Sequence, residues 1–250
     1  MDPTDATARL AHGDAWQALG RLHAARGGGR VAQVPGALLM ASGLPLPQYN
    51  NVDVTDPAAV DVTAVARWYD ELGVPWGARV PAGADWPWGR LLFHKRLMAL
   101  RSEDLVRPAP DDRIVVAAAG PDDLDTVVRL DVAAFGDAGE AQRRWLEALL
   151  AGGDVTVALA SWEGAPAGTG YAVSTDGLAG PAVYVAGIGV DPAFRRRGIG
   201  TALSAHLVEQ AGTHRLAHLH PDTDEAVRVY RRLGFVEVPG FDVYVDLTAP

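Results

Sequence analysis

The residues best suited to bind a charged ligand lie at 195–200, where the sequence reads Arg-Arg-Arg-Gly-Ile-Gly. An apolar, β-branched run over 183–190 precedes them and predicts a buried strand. Asp191 and Pro192 end that strand and begin a turn. Apolar residues at helical spacing over 201–208 predict that a helix follows the glycines.

A strand, a turn and a helix in this order create a site for an anion. The first N–H groups of a helix have no partner within it, and the helix dipole gives them partial positive charge. Gly198 and Gly200 lack a Cβ and so allow a ligand to approach the backbone closely. The preceding arginines add positive charge and donors suited to phosphate, so we predict a pyrophosphate site.

The glycine spacing separates this site from other phosphate-binding motifs, because neither G-x-G-x-x-G nor G-K-[ST] is present. The segment V-D-P-x-x-R-R-R-G-I-G instead resembles the acetyl-CoA signature of the GNAT superfamily, [RQ]-x-x-G-x-[GA], which follows the fourth strand of that fold. The resemblance implies that acetyl-CoA is the cosubstrate. It assigns cofactor binding to Ile188, Gly189, Val190, Arg195, Arg196, Arg197, Gly198, Ile199, Gly200 and Thr201.

The composition favours a chain without disulfides and without a large basic surface. It has 250 residues, a net charge of −9 and no cysteine, which excludes disulfides, thiolate nucleophiles and cysteine-ligated zinc. The acidic balance argues against nucleic acid as a partner. No apolar run is long enough to span a bilayer, and the charged first residues lack a signal-peptide core. We therefore expect a cytoplasmic protein that has no membrane partner.

The domain organisation is predicted from a Pro-rich, charged segment over 107–112, which has the composition of a linker. It separates an N-terminal α/β domain, 1–108, from a second domain, 113–250. The second domain is predicted to run strand, two helices, antiparallel strands, helix, strand, helix, strand. This is an α+β, three-layer arrangement with a mixed, mostly antiparallel sheet flanked by helices. It resembles the GNAT order, and Tyr230-x-x-x-Gly-Phe resembles that family's late motif.

The first half of the chain is predicted to be a degenerate copy of the same fold. Arg67-x-Tyr69-x-x-Leu-Gly repeats the pattern of Arg228-x-Tyr230-x-x-Leu-Gly. An alternative register matches this helix to the one that precedes the strand at 215–220. Asp56 and the proline after it predict the start of the helix. No second R-x-x-G-x-G occurs, so we expect one cofactor site per chain.

The catalytic roles follow mainly from the resemblance. It implies that a backbone N–H of Ile188 or Gly189 faces the thioester carbonyl and that Tyr230 is the general acid. The family often has a glutamate on this strand, whereas Tyr184 stands near the matching position. His218 and His220, two apart on one strand face, and Asp137 and Glu140, in a loop, are alternative bases. Of these we select His220 and Glu140; the two histidines lack a third zinc ligand, so no metal is expected.

The sequence as a whole predicts an acetyl-CoA-dependent N-acetyltransferase. The acetyl group passes to a primary amine by direct attack in a ternary complex, because no cysteine or serine elbow is available for a covalent intermediate. The alternatives are a catalytically silent CoA sensor or interaction protein, and nucleic-acid binding through 195–197. The acceptor, a small molecule or a peptide, the acyl group and the choice between monomer and homodimer remain open.

Overall fold

The computed structural model of the chain describes residues 3–137 and 139–247. Two compact units make up the chain. The first contains residues up to Met98, the short segment Gly177–Ala179 and the stretch from Glu237 onward; the second contains Ala99–Asp176 and Gly180–Val236.

Within the described residues the chain forms six α-helices and eleven strands. The helices are α1 (Pro3–Ala24), α2 (Val62–Leu72), α3 (Leu124–Phe135), α4 (Glu140–Leu150), α5 (Ile199–Gln210) and α6 (Asp224–Arg232). The strands are β1 (Arg30–Val34), β2 (Ala37–Ala41), β3 (Asn50–Val54), β4 (Gly77–Pro81), β5 (Arg90–Arg101), β6 (Ile114–Ala118), β7 (Val155–Trp162), β8 (Ala165–Gly177), β9 (Gly180–Val190), β10 (Leu216–Leu219) and β11 (Val236–Val245).

The strands of the first unit lie in the order β1-β2-β3-β4-β11-β5. β3 and β4 are parallel and are joined through α2, whereas β1 pairs antiparallel with β2, β2 with β3, and β4 with β11. α1 packs against β1 and β2. The fully buried Tyr69 anchors α2 to this sheet, because its hydroxyl donates to the carbonyl oxygen of Met40 over 3.1 Å.

The helix α2 begins later than the sequence predicted. Asp61, not Asp56, is its N-cap, and the Asp61 carboxylate accepts a hydrogen bond of 3.0 Å from the N–H of Ala64. Asp56 instead accepts from the N–H of Ala58 in the preceding turn. Both aspartates are good cap residues, so propensity alone did not decide between them.

The strands of the second unit lie in the order β10-β9-β8-β7-β6. β9 and β10 are parallel and are joined through α5, while β6, β7 and β8 pair antiparallel. The predicted mixed, mostly antiparallel GNAT-type sheet is therefore confirmed.

The three-layer arrangement of the second unit is visible at the end of β9. A Cβ on Gly189 would point at Ala134 of α3, 2.8 Å away, whereas Ile188 and Val190 contact the Gly200 position of α5. Neighbouring strand residues face opposite sides of a sheet. The helices α3 and α5 therefore cover opposite faces of β9.

The two units repeat one topological element, a strand, a helix and a parallel strand. In the first unit three residue pairs, ending in Asp53↔Arg79, join β3 to β4; in the second, three pairs ending in Tyr184↔His218 join β9 to β10. The helix α2 therefore corresponds to α5. This supports the tandem interpretation and selects the alternative register, since Tyr69 is not the counterpart of Tyr230 on α6.

The two compact units divide the chain differently from the predicted boundary at 108–113. β11 belongs to the first unit because it pairs antiparallel with β4, from Phe241↔Pro81 to Tyr244↔Ala78. β5 continues into the second unit at Ala99. Directly after β5, the N–H of Ser102 donates to the carbonyl oxygen of Arg215 over 3.2 Å. A linker-like composition does not reveal which sheet a distant strand joins.

Candidate functional site

The N-terminus of α5 presents backbone N–H groups without a side-chain cap. Its N-cap is Gly198, in the left-handed region at φ 84°, and no side chain accepts a hydrogen bond from the first turn. Arg196, two residues before Gly198, also has a left-handed backbone conformation, with φ 64°. Alternation of this kind turns successive N–H groups inward to form a concave site for an anion. The predicted anion site therefore has a suitable backbone geometry.

The space at Gly200 is not required for packing within the protein. A Cβ placed there would lie 3.7 Å from Val190 and 3.8 Å from Ile188, which are ordinary van der Waals distances. Position 198, in contrast, requires glycine because its φ is positive. Gly200 therefore leaves room for a ligand at the first turn of α5.

The three arginines of the motif have different surroundings. Arg195 holds the turn, because its Nε donates to the carbonyl oxygen of Val190 over 3.2 Å. The guanidinium of Arg197 lies 4.9 Å from the ring centroid of Trp162. Arg196 is exposed. The sequence treated them alike, and only the fold distinguishes a structural arginine from two that present charge.

The pairing of β9 with β10 ends several residues before the end of β9, which leads into the predicted anion site. Their last registered pair is Tyr184↔His218; β10 ends at Leu219, whereas β9 continues to Val190. Gly187 interrupts β9 at φ 61°, and a Cβ there would lie 2.8 Å from the ring of Tyr171. The positive φ of Gly187 is therefore an irregularity in β9 just before Ile188 and Gly189, the residues whose N–H is expected to face a carbonyl.

Gly189 also has a packing role. Its missing Cβ makes room for Ala134 and for the ring of Phe135, which would lie 2.8 and 3.0 Å from that atom. These contacts directly support a packing role for Gly189. Both Ile188 and Gly189 remain candidates for the N–H that faces a carbonyl.

Tyr230 is buried on α6, with 8% of its surface exposed. Burial, with a smaller contribution from the charge of Asp222, raises the pKa of its hydroxyl to about 12. Among residues 3–137 and 139–247 none accepts a hydrogen bond from this hydroxyl. A tyrosine that stays protonated and keeps its donor available can act as a general acid.

The two candidate histidines are not equivalent: His218 lies on β10, whereas His220, which the sequence placed on the same strand, follows its last residue. His218 is fully buried and stacks on Tyr184 with ring centroids 5.1 Å apart; His220 is half-buried, with its centroid 5.9 Å from that of Tyr184. Burial lowers the pKa of His218 to about 3, partly offset by a hydrogen bond with the backbone of Val183. His218 is therefore neutral and shielded, and His220 is the histidine that an acceptor can reach.

The carboxylates near the loop between α3 and α4 also differ in how exposed they are. Glu140 is exposed at the first residue of α4, and Asp137 is exposed in the loop. Asp131, which the sequence did not single out, is half-buried on α3; burial raises its pKa, although Gln142 donates to it over 2.5 Å. Asp131 lies three residues before Ala134, which packs on β9. This helical spacing was the signal in the sequence that could have identified Asp131.

No cluster of three or more metal-ligating side chains occurs among the described residues. In that same part of the chain, no helix combines the length and hydrophobicity needed to cross a membrane.

Acidification is expected to destabilise the fold through His218. Its pKa is 6.5 when unperturbed and about 3 in the folded protein, so the unfolded chain binds more protons between these values. Above pH 6.5, His218 therefore causes no loss in the free energy of unfolding. Between pH 6.5 and pH 3, this group alone lowers the free energy of unfolding by roughly 1.4 kcal/mol for each pH unit. Urea unfolding of the wild type and of His218→Phe at several pH values measures it. Equal pH slopes in the two proteins would contradict the prediction.

Residues 124–235, less than half of the chain, match the model of the acetyltransferase (GNAT) family. No curated protein matches the chain at a significant level. Among solved structures, a GCN5-related N-acetyltransferase from Kribbella flavida has a TM-score of 0.68 at 20% identity, covering 94% of this chain and 96% of that one. A GNAT-family acetyltransferase from Novosphingobium aromaticivorans has 0.57 at 17%, covering 88% and 92%.

A tandem GNAT protein from the clavulanic acid biosynthesis pathway is similar over the full length, with a TM-score of 0.60 at 15% identity, covering 100% of this chain and 97% of that one. At these identities the structural likeness establishes the fold, and the last example agrees with the repeated topology of the two units. The family match includes β9, α5 and β10, the elements on either side of the predicted anion site. The chain therefore carries, across residues 124–235, a domain of the acetyltransferase (GNAT) family, which supports an acyltransferase activity.

Proposed function

We propose that this protein is an acetyl-CoA-dependent N-acetyltransferase that transfers the acetyl group directly to a primary amine in a ternary complex. The observation that carries the proposal is the uncapped N-terminus of α5, which follows the last residues of β9, where β9 has no registered pair with β10. An anion site and an opening between strands, placed end to end, suit a long ligand that has a pyrophosphate and a thioester arm.

The cofactor is held by groups on either side of the turn after β9. The N–H groups of residues 198–201 bind the pyrophosphate, supported by the charges of Arg196 and Arg197. Val190 pairs with the pantetheine arm in the manner of an added strand. The thioester carbonyl faces the N–H of Ile188 or Gly189, which stabilises the negative charge that develops on its oxygen.

The reaction needs a base for the amine and an acid for the sulfur. The neutral amine nitrogen bonds to the carbonyl carbon and loses a proton to the base; the carbon–sulfur bond then breaks, and the thiolate takes a proton from Tyr230. His220 is the better candidate base, because it is half-buried directly after the end of β10, the strand parallel to β9. Glu140 is the alternative, and it is exposed at the first residue of α4.

One cofactor site per chain is expected. In the first unit the helix that corresponds to α5 is α2, and a carboxylate of the protein already occupies its N-terminus. The carboxylate of Asp61 caps α2, where α5 has Gly198. The corresponding strand pair is also closed by a buried ion pair: Arg79 lies 3.3 Å from Asp53 and 2.7 Å from Nε2 of His12. A phosphate at the start of α2 would therefore meet the negative charge of Asp61.

A CoA-binding protein without catalytic activity is the second candidate. The observation in its favour is Tyr184, which occupies the strand position where the family resemblance implies a glutamate. Tyr184 is buried and its ring stacks on His218, so it supplies no carboxylate base. Such a protein would bind the cofactor as tightly and turn nothing over.

Calorimetry and a turnover assay together test the proposal. We expect one acetyl-CoA per chain in the titration, followed by release of free CoA in the presence of at least one member of a panel of primary amines. The panel includes polyamines, amino acids, aminoglycosides and peptides. Binding without turnover across the panel would favour the silent protein, and no binding would reject both candidates.

A further inference from the structure

Within the second unit, the indole ring of Trp162 lies beside one arginine of the predicted anion site. Trp162 is the last residue of β7, and its neighbours in the sheet are Ile114 of β6 and Ala165 of β8. The residue is buried, with 8% of its surface exposed. Because strand pairing on both sides fixes its backbone, the ring is a rigid surface for the side chains that pack against it.

Arg197 packs its guanidinium against two aromatic rings. The guanidinium carbon lies 4.9 Å from the centroid of the Trp162 ring and 5.6 Å from that of Phe194. An aromatic ring attracts a cation to its face and covers the flat, weakly hydrated surface of a guanidinium. The N–H donors lie in the plane of the guanidinium, so this packing does not use them. The two rings therefore hold the side chain and leave its donors for a ligand.

The three arginines of the motif differ in how they are held. Arg195 donates through Nε to the carbonyl oxygen of Val190 over 3.2 Å, and Arg196 is exposed. In the part of the chain that the structure describes, no carboxylate forms an ion pair with Arg197. Arg197 therefore combines an aromatic support with a positive charge that is not neutralised.

A second guanidinium shares the ring of Trp162, but its charge is neutralised. The guanidinium carbon of Arg113 lies 4.5 Å from the ring centroid. Its Nε and one terminal nitrogen donate to the two carboxylate oxygens of Asp111 over 2.9 and 2.8 Å. These hydrogen bonds lower the pKa of Asp111 to about 2, so the carboxylate stays ionised near neutral pH. The ion pair reduces the repulsion between Arg113 and Arg197.

We propose that Trp162 is a positioning residue of the phosphate site, which holds the guanidinium of Arg197 in the conformation that binds a phosphate of the cosubstrate. The inference rests on the proposed function, because it takes the same pyrophosphate at the start of α5. A free arginine side chain loses rotamer freedom when it binds a ligand, whereas one already held on a ring loses less. Trp162 thus raises the affinity through Arg197 and does not touch the ligand itself.

A double-mutant cycle separates this role from a structural one. In calorimetry, Arg197→Gln should weaken CoA binding about 30-fold, and Trp162→Leu about tenfold. In the Arg197→Gln background, Trp162→Leu should cause no further loss, because it acts only through that guanidinium. Trp145→Leu, at a similarly buried tryptophan of α4, is the matched control. It should lower the melting temperature and leave the affinity for CoA unchanged.

Two further variants sharpen the test. Arg196→Gln should weaken CoA binding less than Arg197→Gln, because no ring holds that side chain among the described residues. Trp162→Phe keeps a smaller ring and replaces Trp162→Leu if the leucine variant does not fold. It should lose about threefold in affinity, and nothing further beside Arg197→Gln.

Two results would overturn this inference and leave the proposed function standing. One is a loss from the Trp162 substitution that is as large beside Arg197→Gln as in the wild type. The other is unchanged CoA affinity in a folded Trp162 variant. A wild type that does not bind CoA would overturn both the inference and the proposed function.

Discussion

Replacing Gly200 with glutamate is expected to raise the Kd for CoA by about three orders of magnitude. A carboxylate about 4 Å from a phosphate at a partly buried site costs roughly 4 kcal/mol, which corresponds to that change in affinity. The fold should tolerate the substitution, because a Cβ at Gly200 meets only ordinary contacts and an acidic residue suits the first turn of a helix. Calorimetry with CoA measures the affinity, and the melting temperature reports on folding.

Gly200→Ala is the matched control for the glutamate variant. It adds the same Cβ without the charge, so CoA affinity should fall through steric contact alone and by less than in Gly200→Glu; the difference between the two variants measures the electrostatic part. Strong CoA binding by the folded Gly200→Glu protein would place the pyrophosphate elsewhere. The cofactor assignment of 198–201 would then have to be abandoned.

Replacing Tyr230 with phenylalanine is expected to lower kcat by roughly 100-fold, within the range for loss of a general acid. Affinity for CoA should not change, since the proposed role of the hydroxyl is only to protonate the leaving thiolate. The fold should not weaken either, because none of the described residues accepts a hydrogen bond from this hydroxyl. Steady-state kinetics, CoA titration and thermal unfolding of the same preparation separate the three effects.

The pH profile gives the tyrosine prediction a second test. With a pKa of about 12, Tyr230 remains protonated through the usual assay range, so it should cause no loss of activity below about pH 11. The rise of activity from acidic pH, which reflects the base and the amine, should persist in Tyr230→Phe. Tyr244→Phe, in the first unit, is the control and should behave as wild type. Unchanged kcat in Tyr230→Phe would remove the residue from the mechanism.

The anion site is the part of the protein that could be predicted most fully from sequence. Asp191 and Pro192 end β9, Gly198 begins α5, and Gly200 leaves its first turn open; each depends on conformational preferences of adjacent residues. The parallel pair that flanks α5 follows from the same local order of strand and helix. These features involve only neighbours in the chain, so residue type and spacing were sufficient.

The choice between similar residues could not be predicted in this way. The sequence placed His218 and His220 on one strand and one face, yet β10 ends between them; His218 is fully buried and His220 is half-buried. Asp56 and Asp61 are both suitable caps, and the helix begins after the second. In each case the decision depends on which distant elements cover a position, and spacing along the chain does not carry that information.

The sequence by itself determined the turn between a strand and a helix at which we propose that the pyrophosphate binds, because the groups that form this turn are contiguous. The tertiary structure decided the rest: that β11 joins the first unit beside β4, that Trp162 lies beside Arg197, and that Asp61 occupies the cap of α2. Strand pairing and burial are set by contacts between residues far apart in the chain. For that reason they emerge only when the whole fold is assembled.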